Sequence, residues 1–265
     1  MYADLRGKTA LITGAGLRTG IGFGIAEELA ASGMDMVLAD LPAQGAHLRE
    51  ACLALQRDYG VRVEALEVDL ADEAGIHATA EAVRSIFPSL RVLINNAGVN
   101  LGASRIGDYD AGLWKAVLGV NLIGPFLLTR SLLPLMEQGG AIVNVASRAG
   151  KRPLPGCSAY SVSKAGLIML TKCLAVEYAA DGIRANALCP GQIRTDMNLR
   201  RYAREAAAAG CAPEEILRRA VASVPLGRIG TPHDVGRAAA FLVSDASGYM
   251  TGQALNVTGG QLTEL

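Results

Sequence analysis

Histidine is nearly absent. His47, His77 and His233 are the only three in 265 residues, and no metal-ligand spacing joins them, so no metal site is expected. None stands near Ser147 or the glycine motifs, which argues against a Ser-His-Asp hydrolase. The five cysteines, Cys52, Cys157, Cys173, Cys189 and Cys211, are odd in number and form no Cys-x-x-Cys pair. They read as reduced thiols of a cytoplasmic protein. Charge is balanced, with 25 Lys and Arg against 25 Asp and Glu, so the basic excess of a nucleic-acid binder is missing. No apolar stretch approaches the roughly 20 residues needed to span a bilayer, and the start Met-Tyr-Ala-Asp-Leu-Arg-Gly-Lys lacks an apolar signal core. The expected partner is therefore a small molecule, with no nucleic acid and no membrane. No linker, low-complexity tract or repeat divides the chain, and residues 1–265 read as a single domain.

What the chain does have is alternation. Apolar runs at Lys8–Thr13, Met34–Ala39, Val61–Val68, Arg91–Asn95, Ala141–Ala146, Ile183–Cys189 and Gln253–Val257 read as strands. Between them lie helical runs at Phe23–Ala31, Ala43–Tyr59, Asp72–Phe87, Asp108–Met136 (interrupted near Gly124-Pro125), Ala159–Ala179, Thr195–Val221 and Pro232–Ser244. Repeated βα units imply an α/β fold, a Rossmann-type doubly wound parallel sheet with helices on both faces.

Ligands of such sheets bind beyond the carboxyl ends of the strands. Six features fall there: Gly14, Asp40, Asp69, Asn95-Asn96-Ala97-Gly98, Ser147 and Pro190-Gly191. Each has a plain alternative. Asp40 and Asp69 suit caps or turns, and Asn95-Asn96 suits a turn. Their coincidence at six strand ends favours a site. The first strand leads through Gly14-Ala15-Gly16-Leu17-Arg18-Thr19-Gly20-Ile21-Gly22 into a helix. Strand, glycine loop and helix form the context in which a pyrophosphate meets free N–H groups and the positive end of a helix dipole. Tyr160 and Lys164 are four apart and share a helix face, with Ser147 thirteen residues upstream of the tyrosine. An ammonium beside a phenol is expected to lower its pKa from about 10, making Tyr160 a proton donor and acceptor for a ketone or alcohol. Tyr160 alone would also suit an amphipathic packing position.

These residues resemble the short-chain dehydrogenase/reductase family from Lys8 to Gly260. The likeness is carried by Thr13-Gly14 with Gly20-Ile21-Gly22, Val68-Asp69-Leu70, Asn95-Asn96-Ala97-Gly98, Val120-Asn121, Ile142 to Ser147, Tyr160-x-x-x-Lys164, Pro190-Gly191 with Thr195, and Tyr249 to Gln253. One departure stands out: five residues, Ala15 to Thr19, separate Gly14 from Gly20, where the family usually has three. The resemblance implies Tyr160 as acid/base and Lys164 as the group that lowers its pKa and holds the nicotinamide ribose. It implies Ser147 on the substrate oxygen and Asn121 on a water that links Lys164 to solvent. Gly14, Gly20, Ile21, Gly22, Asp69, Leu70, Asn95, Asn96, Ala97, Gly98, Pro190, Gly191, Ile193 and Thr195 are expected around the cofactor. Ser147, Arg148, Cys157 and Gln192 are the candidate substrate contacts.

Asp40 closes the second strand, where a carboxylate accepts from ribose hydroxyls and repels a 2′-phosphate. No Arg or Lys follows it in Asp40-Leu41-Pro42, so NAD is expected over NADP, with Arg18 the one dissenting cation. The segment at about 195–224 is expected to cap the substrate; it is arginine-rich and poor in aromatics, which disfavours a steroid pocket. The ending Asn256-Val257-Thr258-Gly259-Gly260-Gln261 resembles the sugar-alcohol and sugar-acid dehydrogenases of the family. The expected substrate is a polyol, sugar or sugar acid. A 3-oxoacyl thioester reductase using NADPH is the alternative, and a dinucleotide-binding sensor or scaffold is the alternative of another class. Ser161 to Lys164 also spell the Ser-x-x-Lys of acyl-serine enzymes, but Ser-Asp-Asn and Lys-Thr-Gly are absent. The helices 108–136 and 159–179 are apolar on more than one face, and with the resemblance they imply a homotetramer.

Overall fold

The computed structural model describes residues 2–264. Seven strands form one parallel sheet: β1 (Thr9–Thr13), β2 (Asp35–Asp40), β3 (Val63–Glu67), β4 (Leu90–Asn95), β5 (Met136–Val145), β6 (Arg184–Pro190) and β7 (Ala254–Val257), in the order β3-β2-β1-β4-β5-β6-β7. The order reverses between β1 and β4, which opens a crevice at their carboxyl ends. The expected doubly wound α/β architecture is the observed one.

The apolar runs are continuous because both sheet faces are covered. In β1, Ala10 and Ile12 pack under helices α1 (Ile21–Ala31), α2 (Gly45–Tyr59) and α9 (Pro232–Val243). Leu11 points the other way, with Ile76 and Val83 of α3 (Glu73–Ile86), Leu128 and Leu132 of α5 (Gly124–Leu132) and Leu174 of α6 (Ser158–Glu177).

The expected helix 108–136 is broken more finely than its glycine and proline suggested. Asp108 ends a short 3-10 turn, and α4 (Ala111–Leu118) starts behind Asp110, whose carboxylate accepts from the Leu113 N–H. Residues Gly119–Ile123 then widen into a π turn before α5. Pro125 has no N–H to give the Asn121 carbonyl four residues back, so the chain closes a wider ring, Gly124 N–H to Gly119 C=O. Pro134 stops the helical path, and Met136 already pairs with Leu90 in β5, five residues before the expected strand start at Ala141. The expected helix 195–221 is two helices, α7 (Asp196–Ala209) and α8 (Pro213–Ala222). Gly210, at φ 64°, ends the first, and Pro213 opens the second.

The expectation that no apolar helix reaches membrane-spanning length needs correction. Two segments, Ala111–Leu135 and Ser158–Glu177, are long and apolar enough by length and composition. Both lie against the sheet, and they carry the buried polar residues Asn121 and Lys164.

Candidate active site

The crevice is built from strand ends. At the end of β1, the Thr13 hydroxyl accepts from the N–H groups of Asn96 and Ala97, both at 3.1 Å. The Asn96 side-chain amide returns two bonds, to the carbonyls of Thr13 and Gly14 at 2.8 and 2.9 Å. Gly14 sits at φ 66°, and a methyl there would lie 2.7 Å from the Ala97 Cα, so only glycine fits this turn. The two extra loop residues are absorbed in a closed turn, Gly20 N–H to Leu17 C=O, which leaves Arg18 and Thr19 exposed. Arg18 lies over the Phe23 ring, 5.5 Å from its centre. The start of α1 has Gly20 as its cap, no capping side chain and no acidic residue in its first turn. Helices α3, α4, α7 and α9 each cap themselves with Asp72, Asp110, Thr195 or Thr231. The first N–H groups of α1 thus suit a pyrophosphate. Asp40 closes the other side, its carboxylate accepting from the Gly16 N–H at 2.7 Å and the Leu41 N–H at 2.8 Å.

Ser147, Tyr160, Lys164, Asn121 and Gly98 meet at the ends of β4 and β5. The Ser147 hydroxyl lies beside the Tyr160 phenol and accepts from the Ala149 N–H at 3.1 Å. Lys164, one turn on, places its ammonium 5.8 Å from the centre of the tyrosine ring and donates to the Val145 carbonyl at 2.8 Å. A methyl on Gly98 would touch both Lys164 Nζ and Asn121 Oδ1, each at 3.2 Å. Burial pushes the Tyr160 phenol above its ordinary value, with the nearby Ser147 hydroxyl opposing it. Burial also lowers the Lys164 ammonium to about 8. The expected electrostatics are therefore corrected. In the ligand-free chain desolvation dominates, and Lys164 is tied to a backbone carbonyl instead of depressing the tyrosine.

Several expected contacts belong to the framework. Asn121 is fully buried; its amide donates to the Val99 carbonyl (2.8 Å) and Ser163 hydroxyl (3.0 Å) and accepts from the Val99 N–H (2.8 Å). It pins the segment after β4 that carries Gly98, where a water-holding role was expected. Asn95 faces the interior, donating to Thr129 and Asn144 at 3.0 and 2.8 Å, and so does not line a ribose. Leu70 is buried with the α5 core, so only its backbone remains at the strand end. Asp69 accepts from the Ala71 N–H two residues on, an Asx turn. Ile193 is buried and bridged to Gly230, and the Thr195 hydroxyl accepts from the Asn198 N–H as the cap of α7.

On the substrate side, Cys157 precedes α6, its sulfur 3.9 Å from the Asn100 amide nitrogen. Gln192 follows β6, and its amide oxygen accepts from Arg201 at 2.6 Å and from the Tyr202 hydroxyl at 2.9 Å. Arg148 is half-buried beside Ser147, its guanidinium pushed down by burial and by the neighbouring Arg201 and Arg152.

A family model described as enoyl-(acyl carrier protein) reductase matches residues 14–261. The chain belongs to the short-chain dehydrogenase/reductase family. The L-sorbose reductase of Gluconobacter frateurii, complexed with NADPH and L-sorbose, is 34% identical over the whole of both chains, with a TM-score of 0.93. An NAD+-bound xylitol dehydrogenase is 31% identical over 97% of this chain and 100% of its own, with a TM-score of 0.89. The 3-oxoacyl-[acyl-carrier-protein] reductase FabG of Aquifex aeolicus is 34% identical over 98% of this chain and 99% of its own. The chain is an NAD(P)-dependent oxidoreductase acting on CH–OH groups.

Within this short-chain dehydrogenase/reductase, sequence reasoning missed Arg201 and Tyr202 as partners of Gln192, and Ser163 as partner of Asn121. The first two depend on how α7 folds back onto the Gln192 loop, which no local pattern encodes. Ser163 could have been found, since it lies one residue before Lys164 on the same helix. Thr13 was noted within a motif, but its hydroxyl clamp on β4 was not.

Proposed function

We propose that this chain moves a hydride between NAD(H) and the secondary alcohol or ketone of a polyol, sugar or sugar acid. The observation carrying this reading is the meeting of Ser147, Tyr160 and the buried Lys164, whose ammonium lies 5.8 Å from the centre of the tyrosine ring. In reduction, Tyr160 gives its proton to the substrate oxygen while Ser147 hydrogen-bonds that oxygen and holds it against the phenol. In oxidation the proton returns to Tyr160. Burial keeps the phenol protonated at neutral pH, ready for donation. The nicotinamide supplies the hydride acceptor or donor when bound. Gly14, Gly20, Ile21 and Gly22 would cradle its pyrophosphate, and Asp40 the adenosine ribose. Asp69, the Leu70 backbone, Asn96, Ala97 and Gly98 would line the adenosine side. Tyr160 and Lys164 would hold the nicotinamide ribose, and Pro190, Gly191, Ile193 and Thr195 the carboxamide end.

Asp40 favours NAD, because a 2′-phosphate would approach a carboxylate already fixed by two backbone amides. The dissenting Arg18 is engaged over Phe23 and beside Glu27 and Asp58. The sorbose and xylitol enzymes support a polyol or sugar substrate. The likeness to the Aquifex reductase keeps a 3-oxoacyl thioester reductase as second reading. Initial rates on polyols, sugar acids and 3-hydroxyacyl thioesters, each with NAD and NADP, separate the two. Preference for a thioester with NADP overturns the first.

The same reading includes one domain over residues 1–265, with α7 and α8 (about 195–224) capping the substrate, a cytoplasmic location and a homotetramer. Phe126, Met169 and Val176, on α5 and α6, are 42%, 58% and 82% exposed, and this supports a second subunit on that face.

A further inference from the structure

We propose that Gln261 is a positioning residue whose side-chain amide ties the loop after β6 to the end of α8, and so holds the α7–α8 cap in place over the substrate. The inference rests on the reading above, in which α7 and α8 cap the crevice, and it names what sets their position.

The cap has a small core of its own. Tyr202 and Ala206 of α7 pack with Ile216 and Ala220 of α8, apart from the clusters that line the sheet. A unit packed largely on itself takes its place on the body from its remaining ties. Those of α7 run to the loop after β6. The Asn198 amide donates to the Ile193 carbonyl at 2.7 Å, and the Gln192 amide oxygen accepts from Arg201 and Tyr202 at 2.6 and 2.9 Å. At the other end of the cap, Ser223 follows α8 and meets Gln261.

Gln261 uses both ends of its amide. Oε1 accepts from the Gln192 N–H at 3.1 Å, and Nε2 donates to the Ser223 hydroxyl at 2.7 Å. The partners fix this orientation. A backbone N–H needs an acceptor. The Ser223 hydrogen is already given to the Ala220 carbonyl at 2.7 Å, so its oxygen needs a donor. An amide meets both demands, whereas a carboxylate meets only the first. The seat is tight: a methyl on Gly191 would lie 2.6 Å from Gln261 Oε1 and 3.0 Å from the Thr258 Cα. The turn carrying Gln261 is itself fixed. The Thr258 hydroxyl accepts from the Leu262 N–H at 3.3 Å, Leu262 is buried, and the Asn256 amide donates to the Glu264 carbonyl at 2.6 Å. Gln192 thus has its backbone held by Gln261 and its side chain holding α7, while the same Gln261 amide holds the end of α8. The Leu226 N–H adds a bond to the Gly259 carbonyl at 3.1 Å, so loss of Gln261 should loosen the cap without detaching it.

Limited trypsin digestion reads the cap whatever the substrate is, because Arg200, Arg204, Arg218 and Arg219 are exposed on it. The full chain is compared with Gln261→Ala, Gln261→Glu and Ser223→Ala. Arg57, exposed on α2 at the opposite edge of the sheet, serves as the reference site. Gln261→Ala removes two neutral hydrogen bonds, so cleavage in the cap should quicken by roughly 5- to 50-fold. Cleavage at Arg57 and the denaturant midpoint should change little. Gln261→Glu and Ser223→Ala each lose only the Ser223 arm and should fall between. Initial rates with NAD on D-sorbitol and D-gluconate should show KM raised by a similar factor and kcat nearly kept. Cap cleavage at the natural rate in all three variants overturns the inference. Faster cleavage at Arg57 as well, with a lowered midpoint, also overturns it, since that marks general destabilisation. Faster cap cleavage with KM unmoved overturns the positioning role and leaves Gln261 a structural tie. If the natural chain turns over neither compound, the polyol and sugar-acid reading fails, and cleavage alone decides for Gln261.

Discussion

Replacing Asp40 with alanine should change both dinucleotide affinity and cofactor choice. Its carboxylate accepts from the Gly16 N–H at 2.7 Å and the Leu41 N–H at 2.8 Å, so it positions the glycine loop besides making the ribose contact proposed for it. Hydrogen bonds to a charged group contribute about 1.5–3 kcal/mol each. Losing the ribose bonds and loosening the loop should weaken NADH binding by roughly 10-fold or more. The repulsion works separately. A 2′-phosphate brought within about 4 Å of the carboxylate would meet on the order of 4 kcal/mol per charge pair at an effective dielectric of 20. Asp40 is partly exposed, and screening reduces this to about 2 kcal/mol, or roughly 30-fold. Loosening the loop weakens both cofactors alike, whereas the repulsion and the lost bond to the 2′-hydroxyl shift the NADPH-to-NADH affinity ratio the same way, by about 100-fold together. Fluorescence titration of the reduced cofactors gives the ratio. Asp40→Asn removes the charge but keeps one acceptor, so it should relax discrimination with a smaller loss of NADH affinity. A natural sequence that already binds NADPH far more tightly, or a ratio unmoved in Asp40→Ala, would refute the reasoning.

Other consequences are equally direct. Lys164 is lowered to about 8 by burial, so between that value and its unfolded pKa near 10.5 the unfolded chain holds the proton and the folded chain does not. Stability of the dinucleotide-free chain should therefore rise with pH across this window, by about 3 kcal/mol; denaturant curves for Lys164→Met should lack the rise, and parallel profiles would contradict it. Because burial raises the Tyr160 phenol, kcat/KM for alcohol oxidation should climb with pH above neutrality, and a profile falling over that range would count against proton acceptance by Tyr160. Asn121→Ala leaves the Val99 N–H and C=O without their side-chain partner and takes one donor from the Ser163 hydroxyl; it should cost about 2–4 kcal/mol in denaturant melts, with a near-neutral change arguing against the pinning role. Light scattering should give a mass four times the 27.5 kDa chain, reduced by Phe126→Glu with Met169→Glu; a monomer at micromolar concentration would remove the assembly.

The strands were legible because a parallel sheet covered on both faces leaves unbroken apolar runs, as in Ala10-Leu11-Ile12. The break in the helix before β5 was misplaced because the effect of Pro125 falls on the carbonyl four residues upstream and opens a π turn around Asn121. The division of α7 from α8 was readable in Gly210 and Pro213, but the alanine-rich run masked it. In the site, the four-residue spacing brought Tyr160 and Lys164 to one face as expected. Asn95 and Asn96 were treated alike, although alternation sends one into the core and the other to the glycine loop. The influence of Lys164 on Tyr160 was overestimated, since spacing reports proximity but not desolvation. The partners of Gln192 come from the first turns of α7, which fold back onto the loop after β6.

The most direct test is the initial rate of NAD-linked oxidation by the natural chain and by Tyr160→Phe, with NADH affinity measured on both. Loss of the proton-carrying hydroxyl should cut turnover by roughly 100-fold or more and weaken NADH binding by no more than about 10-fold, the loss of one ribose hydrogen bond. Turnover near the natural rate in Tyr160→Phe would contradict the assignment of the proton to Tyr160.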